Sequence, residues 1–180
     1  MFDTVATMDT SSGYSAFISY SHTDDKWAEW LQRALETYRL PVSLRRHAGL
    51  PAQLKKVFRD REELATGQNL GEHLQAALAS ADTLIVISSP ASRDSKWVNQ
   101  EIEYFKSLGK GHRIFCLLVD GGAESFAPGL LEDIDGNALE PLAADPRETA
   151  DGKTRAKLKI IASMLDLNLD DLARREATRK

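Results

Sequence analysis

The sequence predicts an α/β fold, a single doubly wound domain whose central parallel sheet of about five strands carries helices on both faces. Short, almost wholly apolar segments such as Thr83–Ser88 and Arg113–Val119 alternate with longer segments whose apolar residues recur at helical spacing. Strands without polar alternation are typical of parallel sheets that are covered on both faces. The 180 residues are 42% hydrophobic and contain no repeat or linker, which favours one domain with a sizeable core.

The first half of the chain supplies two strands and two helices. Ala16–Tyr20 is the first strand and Leu54–Phe58 is a weaker second strand. Asp24–Tyr38 is an amphipathic helix, and so is Asn69–Ala81. The core-facing stripe of the first helix comprises Trp27, Trp30, Leu31, Ala34, Leu35 and Tyr38. Between the second strand and the second helix, Arg59–Gln68 is a charged loop that contains a glycine.

The second half continues the alternation. The strand Thr83–Ser88 precedes the helix Ser95–Leu108, and the strand Arg113–Val119 precedes a loop over Gly121–Asp135. The remaining segments are a short edge strand over Ala138–Leu142, a last helix over Lys153–Leu167, and residues 169–180, which we expect to be a tail or the start of a linker. Residues 1–13 lack a basic region followed by an apolar run, so we expect a flexible leader rather than a signal peptide.

Composition and motifs exclude several function classes. The net charge of −4 does not favour a nucleic-acid partner, and no apolar run approaches the ~20 residues of a membrane span. The one cysteine, Cys116, lies in an apolar run and fits a reducing, cytoplasmic location. The chain has no glycine-rich dinucleotide or P-loop motif. Its four histidines lack metal-ligand spacing, so we expect neither a metal site nor a bound cofactor.

Glu101 is unusual because it is a charged residue on the apolar face of its predicted helix. At about 100° per residue, the apolar residues of Ser95–Leu108 share an arc of roughly 140°, and Glu101 falls inside this arc, about 40° from Trp97. A carboxylate on a packing face costs several kcal/mol unless it is paired or opens into a polar cavity. Glu101 is therefore either a paired carboxylate at the rim of the face or a catalytic group that lines a pocket.

Four ordered motifs extend this hypothesis to a family. They are Phe17-Ile18-Ser19-Tyr20-Ser21, Arg59-Asp60-Arg61-Glu62-Glu63-Leu64 with Gly67, Ile87-Ser88-Ser89-Pro90, and Trp97-x-x-x-Glu101-Ile102. In order and spacing they resemble the Toll/interleukin-1 receptor (TIR) domain over about residues 14–168. The Asn69-Leu70-Gly71 helix start and the Leu139-Glu140-Pro141-Leu142 segment are similar to bacterial members. The resemblance implies a flavodoxin-like fold.

The resemblance implies one of two activities. Many TIR domains cleave NAD+ at the nicotinamide–ribose bond to give ADP-ribose or a cyclic product, whereas others act only as TIR–TIR signalling scaffolds, including mimics of host adaptors. In the cleaving members a glutamate follows a tryptophan by four positions, as Glu101 follows Trp97. We therefore expect Glu101 to be catalytic and NAD+ to be a substrate rather than a cofactor. Another flavodoxin-like nucleotide enzyme, such as a nucleoside deoxyribosyltransferase, is a third hypothesis.

The resemblance also implies substrate contacts and partners. Ligands of doubly wound sheets bind beyond the carboxyl ends of the strands. The residues expected to contact substrate are Tyr20, Ser21, His22, Ser88 and Trp97. The loop that contains Asp60 and Gly67 matches a family segment that gates the site and mediates self-association. We expect TIR–TIR contacts, a fused or separate sensor domain, and a role in bacterial antiphage defence.

Overall fold

A computed structural model of the chain describes residues 13–59 and 70–179. Its regular elements, in chain order, are β1 (Ala16–Ser19), α1 (Asp25–Glu36), α2 (Val42–Ala48), β2 (Val57–Arg59), α3 (Glu72–Ser80), β3 (Leu84–Ser88), α4 (Pro90–Arg93), α5 (Lys96–Ser107), β4 (Ile114–Leu118), β5 (Ala143–Ala144), α6 (Gly152–Leu165) and α7 (Leu169–Ala177). Short 3-10 turns lie at His22–Asp24, Gly111–Arg113, Ala123–Ser125 and Pro128–Leu130.

The sheet confirms the predicted fold class. Its strand order is β2-β1-β3-β4-β5 and every neighbouring pair is parallel. This is the flavodoxin-like order of a doubly wound sheet. The chain runs outward from β1 to β2 and then returns past β1 to β3, so the order reverses between β1 and β3. A crevice at the carboxyl ends of these two strands is the expected place for a ligand.

Successive residues of the central strands enter two separate hydrophobic clusters, one on each face of the sheet. Ile18, Ile85 and Leu117 pack with α1, α6 and α7. Phe17, Val86 and Cys116 pack with α3 and α5. Because side chains alternate between faces along a strand, a strand covered on both faces must be apolar at nearly every position. This explains the continuous apolar runs in the sequence.

The predicted edge strand is misplaced. The fifth strand is Ala143–Ala144 rather than Ala138–Leu142, and Ala138 instead forms an isolated antiparallel bridge with Glu132. Pro141 has no amide hydrogen and interrupts the predicted segment as a strand. Two alanines are long enough to form the last strand of the sheet. Alanine is depleted in strands and lacks the large apolar side chains by which strands are recognised in a sequence, so this strand was not predicted.

The segment after Asn168 is folded rather than a tail or linker. The Asn168 side chain accepts a hydrogen bond from the Asp171 amide at 2.9 Å and caps α7. Leu172 is fully buried in the cluster with α1 and α6. The Tyr38 hydroxyl donates a hydrogen bond to Glu176, which joins α7 to the end of α1. The helix is only nine residues long and mostly polar, so its apolar stripe is short and easily taken for part of a tail.

Two further differences concern helices. The helix α2 was not predicted, because Val42–Ala48 has a short, mostly polar sequence. Lys106 lies outside the apolar arc of α5, where a charged side chain is normally solvated, but it is buried because the loop after β4 crosses that side. Its ammonium group donates to the carbonyls of Gly129 and Glu132 at 3.0 and 2.9 Å. These carbonyls compensate the cost of burying the charge.

Parts of four predictions lie outside the described residues. They are residues 1–12 of the predicted leader, residues 60–68 of the predicted gating loop with Asp60 and Gly67, Asn69 at the start of the predicted second helix, and Lys180 at the end of the predicted tail. None of the helices in the described ranges is both long and apolar enough to cross a bilayer.

We predict that Leu172→Ala lowers the free energy of unfolding by about 2–5 kcal/mol, because it removes a fully buried side chain from the cluster beneath α7. Urea denaturation followed by circular dichroism measures this change. Val42→Ala is the control, since Val42 is 51% exposed. Equal stability of the two variants would show that α7 is not part of the cooperative unit.

Candidate active site at the carboxyl edge of the sheet

The helix that carries Glu101 is fixed at its start by hydrogen bonds. The Ser95 hydroxyl caps α5 by accepting from the Val98 amide at 3.2 Å. The Asn99 side-chain amide donates to the carbonyls of Arg93 and Ser95 at 2.9 and 2.8 Å. Val98 and Ile102 of the same helix are fully buried against the sheet. Caps and packing together set the rotation of the helix, and this rotation points Glu101 inward.

The Glu101 carboxyl group is buried at the end of β1. Only 6% of the residue is exposed, and its Oε1 accepts a hydrogen bond of 2.5 Å from the Ser19 hydroxyl. Ser19 is the last residue of β1 and lies on the same face as Phe17, two positions earlier. The hydrogen bond therefore joins the carboxyl edge of the sheet to α5. A short hydrogen bond to a carboxylate contributes more than one between neutral groups.

Ser88 ends β3 on the same face of the sheet. It is fully buried, and within the described ranges its hydroxyl has no nitrogen or oxygen partner. It contacts the thiol of Cys116 on β4. Burial raises the pKa of the Cys116 thiol to about 12, and the Ser88 contact opposes this shift. The thiol is therefore protonated at neutral pH and is not a candidate nucleophile.

Trp97 lies one helical turn before Glu101. Its indole is half-buried and packs against the cluster that also contains Val98 and Ile102. The Lys96 ammonium group lies 6.0 Å from the indole centroid. The structure thus confirms that Trp97 and Glu101 share the inward side of α5. A partly exposed ring beside a buried carboxylate is suited to forming the wall of a pocket.

Tyr20 is placed on the other face of the sheet, within the cluster of α1 and α6. Its hydroxyl donates to Asp25 Oδ1 at 3.3 Å, and the Arg59 guanidinium donates to the same oxygen at 2.9 Å. Burial raises the pKa of Tyr20 to about 12, partly opposed by the hydrogen bond with Arg59. Since Arg59 is the first residue of the predicted gating loop, Arg59–Gln68, this network fixes the start of that loop. A substrate contact of Tyr20 stays a prediction.

The turn after β1 carries the two other predicted contacts. Ser21 is half-buried and His22 is exposed. The turn is held by Asp24, whose Oδ2 accepts from the Ser89 hydroxyl at 2.6 Å. Burial raises the pKa of Asp24, the Ser89 hydrogen bond opposes this, and the nearby charge of Asp120 adds to it. A cavity of about 530 Å³ lies here, lined by His22, Thr23, Asp24, Asp25, Lys26, Trp27, Val119 and Asp120.

The structure therefore brings Glu101, Ser88 and Trp97 to one side of the carboxyl edge, while Tyr20 lies on the other. Ser19 belongs to the first of the four family motifs but is not among the residues that the sequence predicts for the site. A signal was present, because Ser19 is a polar residue that follows Phe17 by two positions in an apolar strand. Such a residue faces the core and needs a buried hydrogen-bond partner.

Comparison with known proteins decides the family. The family model of the TIR domain matches residues 16–150, three quarters of the chain. The chain belongs to the TIR domain family. It is 36% identical over 109 residues to an NAD(+) hydrolase, ApTIR, from an Actinoplanes species. That match covers 60% of this chain but only 14% of the relative, so the TIR domain described here spans a small part of the relative's length.

Two solved TIR structures are similar to this chain at 18% sequence identity. One is the TIR domain of the Toll-related receptor TRR-2 from Hydra magnipapillata, with a TM-score of 0.49 over 84% of this chain and 98% of that chain. The other is the set of TIR domains in the activated Roq1 resistosome, with a TM-score of 0.39 over 59% of this chain and 58% of that chain.

We predict that Ser19→Ala destabilises this TIR domain by about 1.5–3 kcal/mol, because a buried carboxyl group loses a hydrogen-bond donor. Ser88→Ala is the matched control. It removes a hydroxyl from the same face of the sheet, but one without a nitrogen or oxygen partner in the described residues. Urea midpoints measure both changes, and equal losses would mean that the Ser19–Glu101 hydrogen bond contributes little.

We predict that Asp24→Asn stabilises the domain at pH 7 but not below about pH 3.8. Because the folded-state pKa is raised, the folded protein binds the Asp24 proton more tightly than the unfolded chain does. Stability from this group is therefore present at low pH and is lost as pH rises through the folded pKa. Urea midpoints at pH 3.5 and pH 7 test the sign, with the exposed Glu148→Gln as control for net charge. A variant less stable than wild type at pH 7 would contradict the assignment.

Proposed function

We propose that this TIR domain cleaves NAD+ at the nicotinamide–ribose bond and that Glu101 is the catalytic carboxylate. The observation that carries the proposal is the buried Glu101 carboxyl group, held by Ser19 at the carboxyl edge of the sheet. The NAD(+) hydrolase activity named for the Actinoplanes relative supports the same reaction. A carboxylate on an apolar face is costly for stability, and such cost is typical of functional sites.

The reaction suits a single carboxylate. The nicotinamide of NAD+ is already cationic, so it can leave with the bonding electron pair as a neutral molecule and needs no general acid. Ordinary glycoside hydrolysis needs a second carboxyl group to protonate the leaving oxygen. Cleavage leaves positive charge on the ribose, which a fixed negative group can stabilise. Addition of water at the same carbon then gives ADP-ribose and a proton, whereas attack by the adenine ring gives a cyclic product.

The residues around Glu101 hold its carboxylate in place and shield it from water. The Ser19 hydroxyl fixes Oε1, so the carboxylate needs little reorganisation when charge develops on the ribose. Burial lowers the local dielectric and strengthens the attraction between carboxylate and cation. Trp97 supplies an apolar wall that limits access of water. Ser21, His22 and Ser88 complete the edge as proposed substrate contacts.

We predict that Glu101→Gln lowers the rate of NAD+ cleavage by a factor of about 100 or more, because it keeps the shape of the side chain but removes its charge. Chromatography of nicotinamide and ADP-ribose products measures the rate. Glu103→Gln is the control, since Glu103 lies exposed on the outer side of the same helix. Activity of a folded Glu101→Gln variant within about twofold of wild type would overturn the catalytic role and leave the scaffold function as the better hypothesis.

Self-association is the second part of the proposal, and antiphage defence is its proposed setting. The start of the predicted gating loop is fixed through Arg59, so a neighbouring TIR domain can act on the loop without disturbing the sheet.

We predict that specific activity in NAD+ cleavage rises with protein concentration, because contacts with a neighbouring TIR domain would change the conformation of the gating loop. A titration of activity with particle size measured in parallel tests this, and constant specific activity from a monomer would refute it.

A further inference from the structure

The sheet has an open edge far from Glu101. The strand β5 is the last strand of the sheet, and it pairs with β4 through the register Cys116↔Ala143 and Leu117↔Ala144. The Cys116 amide donates to the Leu142 carbonyl at 2.9 Å. In a parallel pair with this register, the amide and carbonyl groups of Ala143 point away from β4. Within residues 13–59 and 70–179 neither group has a hydrogen-bond partner.

The open edge is short and sharply bounded. At the next outward-facing residue, the Asp145 amide donates to the Asp151 side chain at 2.9 Å, and the Asp145 carbonyl accepts from the Asp151 amide at 3.0 Å. On the other side, Pro141 has a carbonyl group but no amide hydrogen. Ala143 therefore offers one donor and one acceptor, the pair that an added strand would use.

A cavity flanks this edge on each face of the sheet. The larger edge cavity, of about 490 Å³, lies on the α5 side and is lined in part by Ile114, Cys116, Leu130, Ile134, Leu139 and Leu142. The smaller edge cavity, of about 190 Å³, lies on the α6 side and is lined in part by Phe115, Leu142, Ala144, Ile160 and Leu167. Successive side chains of a strand point to opposite faces. A strand laid along Ala143 could thus place neighbouring side chains in both cavities.

The residues around the larger edge cavity show what would cover it. Ile134 is 68% exposed, Leu139 47% and Leu142 62%, so the cavity opens onto a group of exposed apolar side chains, as protein-binding surfaces do. The rim carries the carboxylates of Glu132, Asp133 and Glu140 and one imidazole, that of His112, so carboxylates outnumber basic groups there. The charge of Lys106 is already compensated by two carbonyl groups and by Glu103 at 3.8 Å. The rim is therefore acidic and favours a basic partner.

We propose that this edge binds an extended segment of a partner protein, which adds a strand beside β5, fills both edge cavities with apolar side chains and meets the acidic rim with lysine or arginine. Backbone hydrogen bonds to Ala143 would supply affinity, and the two cavities would supply specificity. This binding surface is separate from Glu101 and does not depend on the proposed NAD+ cleavage.

The test uses the whole chain and a blocked seven-residue peptide in which Leu-Val-Leu is flanked by two lysines on each side. Nuclear magnetic resonance titration should give saturable binding that shifts the Ala143 amide and protects it from hydrogen exchange. Two further peptides carry an N-methyl group on the central valine or on the leucine after it. Because successive amides point to opposite sides of a strand, one of these two peptides should lose affinity about tenfold.

Protein variants locate the site. Ala143→Pro removes the outward amide hydrogen but no hydrogen bond to β4, and it should weaken peptide binding about tenfold. Leu142→Asp should abolish binding because Leu142 lines both cavities. Val42→Asp is the matched control, since Val42 is a comparably exposed apolar residue on α2, and it should bind the peptide as wild type does. Glu140→Lys should favour a peptide in which glutamate replaces lysine.

Several outcomes would overturn the proposal. They are absence of binding up to about 1 mM peptide, equal binding of the lysine and glutamate peptides to the wild-type chain, and binding that Ala143→Pro leaves unchanged. Self-association of the chain that Ala143→Pro abolishes, without peptide binding, would assign the edge to a second copy of the chain instead.

Discussion

The buried carboxyl group of Glu101 is the feature around which the proposed site is arranged. An apolar residue would stabilise the inward side of α5, as its neighbours Val98 and Ile102 do, whereas a carboxylate there costs free energy. The Ser19 hydroxyl offsets part of that cost and at the same time fixes the position of Oε1. Stability and chemistry thus place opposite demands on this position, and the surrounding packing must be strong enough to hold the group there.

The doubly wound sheet meets that demand. Two fully apolar clusters cover its faces, so the strand ends are held rigidly while the loops beyond them remain open to ligands. The end of β1 is joined to α5 through Ser19 and Glu101, and the turn after β1 is joined to the end of β3 through Asp24 and Ser89. These two hydrogen bonds link segments that are 82 and 65 residues apart in the chain, so the site forms only when the sheet is complete.

The sequence predicts the parts of this molecule that depend on strong hydrophobic patterns. The four main apolar and amphipathic segments around β1, β3, α5 and β4 were assigned correctly, and the helical arc alone places Glu101 inward. Weak patterns gave the errors. Ala143–Ala144 has no distinctive side chains, Leu169–Ala177 is only nine residues long and mostly polar, and Lys106 is buried by carbonyls of a loop that no periodicity describes. The partnership of Ser19 with Glu101 depends on tertiary contact between distant segments, which local patterns do not contain.

The most direct test of the account is whether substrate reaches the Glu101 carboxyl group. The measurement is the carbon-13 chemical shift of the side-chain carboxyl groups during titration with a non-cleavable NAD+ analogue whose nicotinamide ribose has a methylene group in place of the ring oxygen. The account predicts a selective, saturable shift of the Glu101 signal, with the Glu103 signal on the outer side of α5 unchanged. Saturable binding of the analogue that leaves the Glu101 signal unmoved would contradict the account.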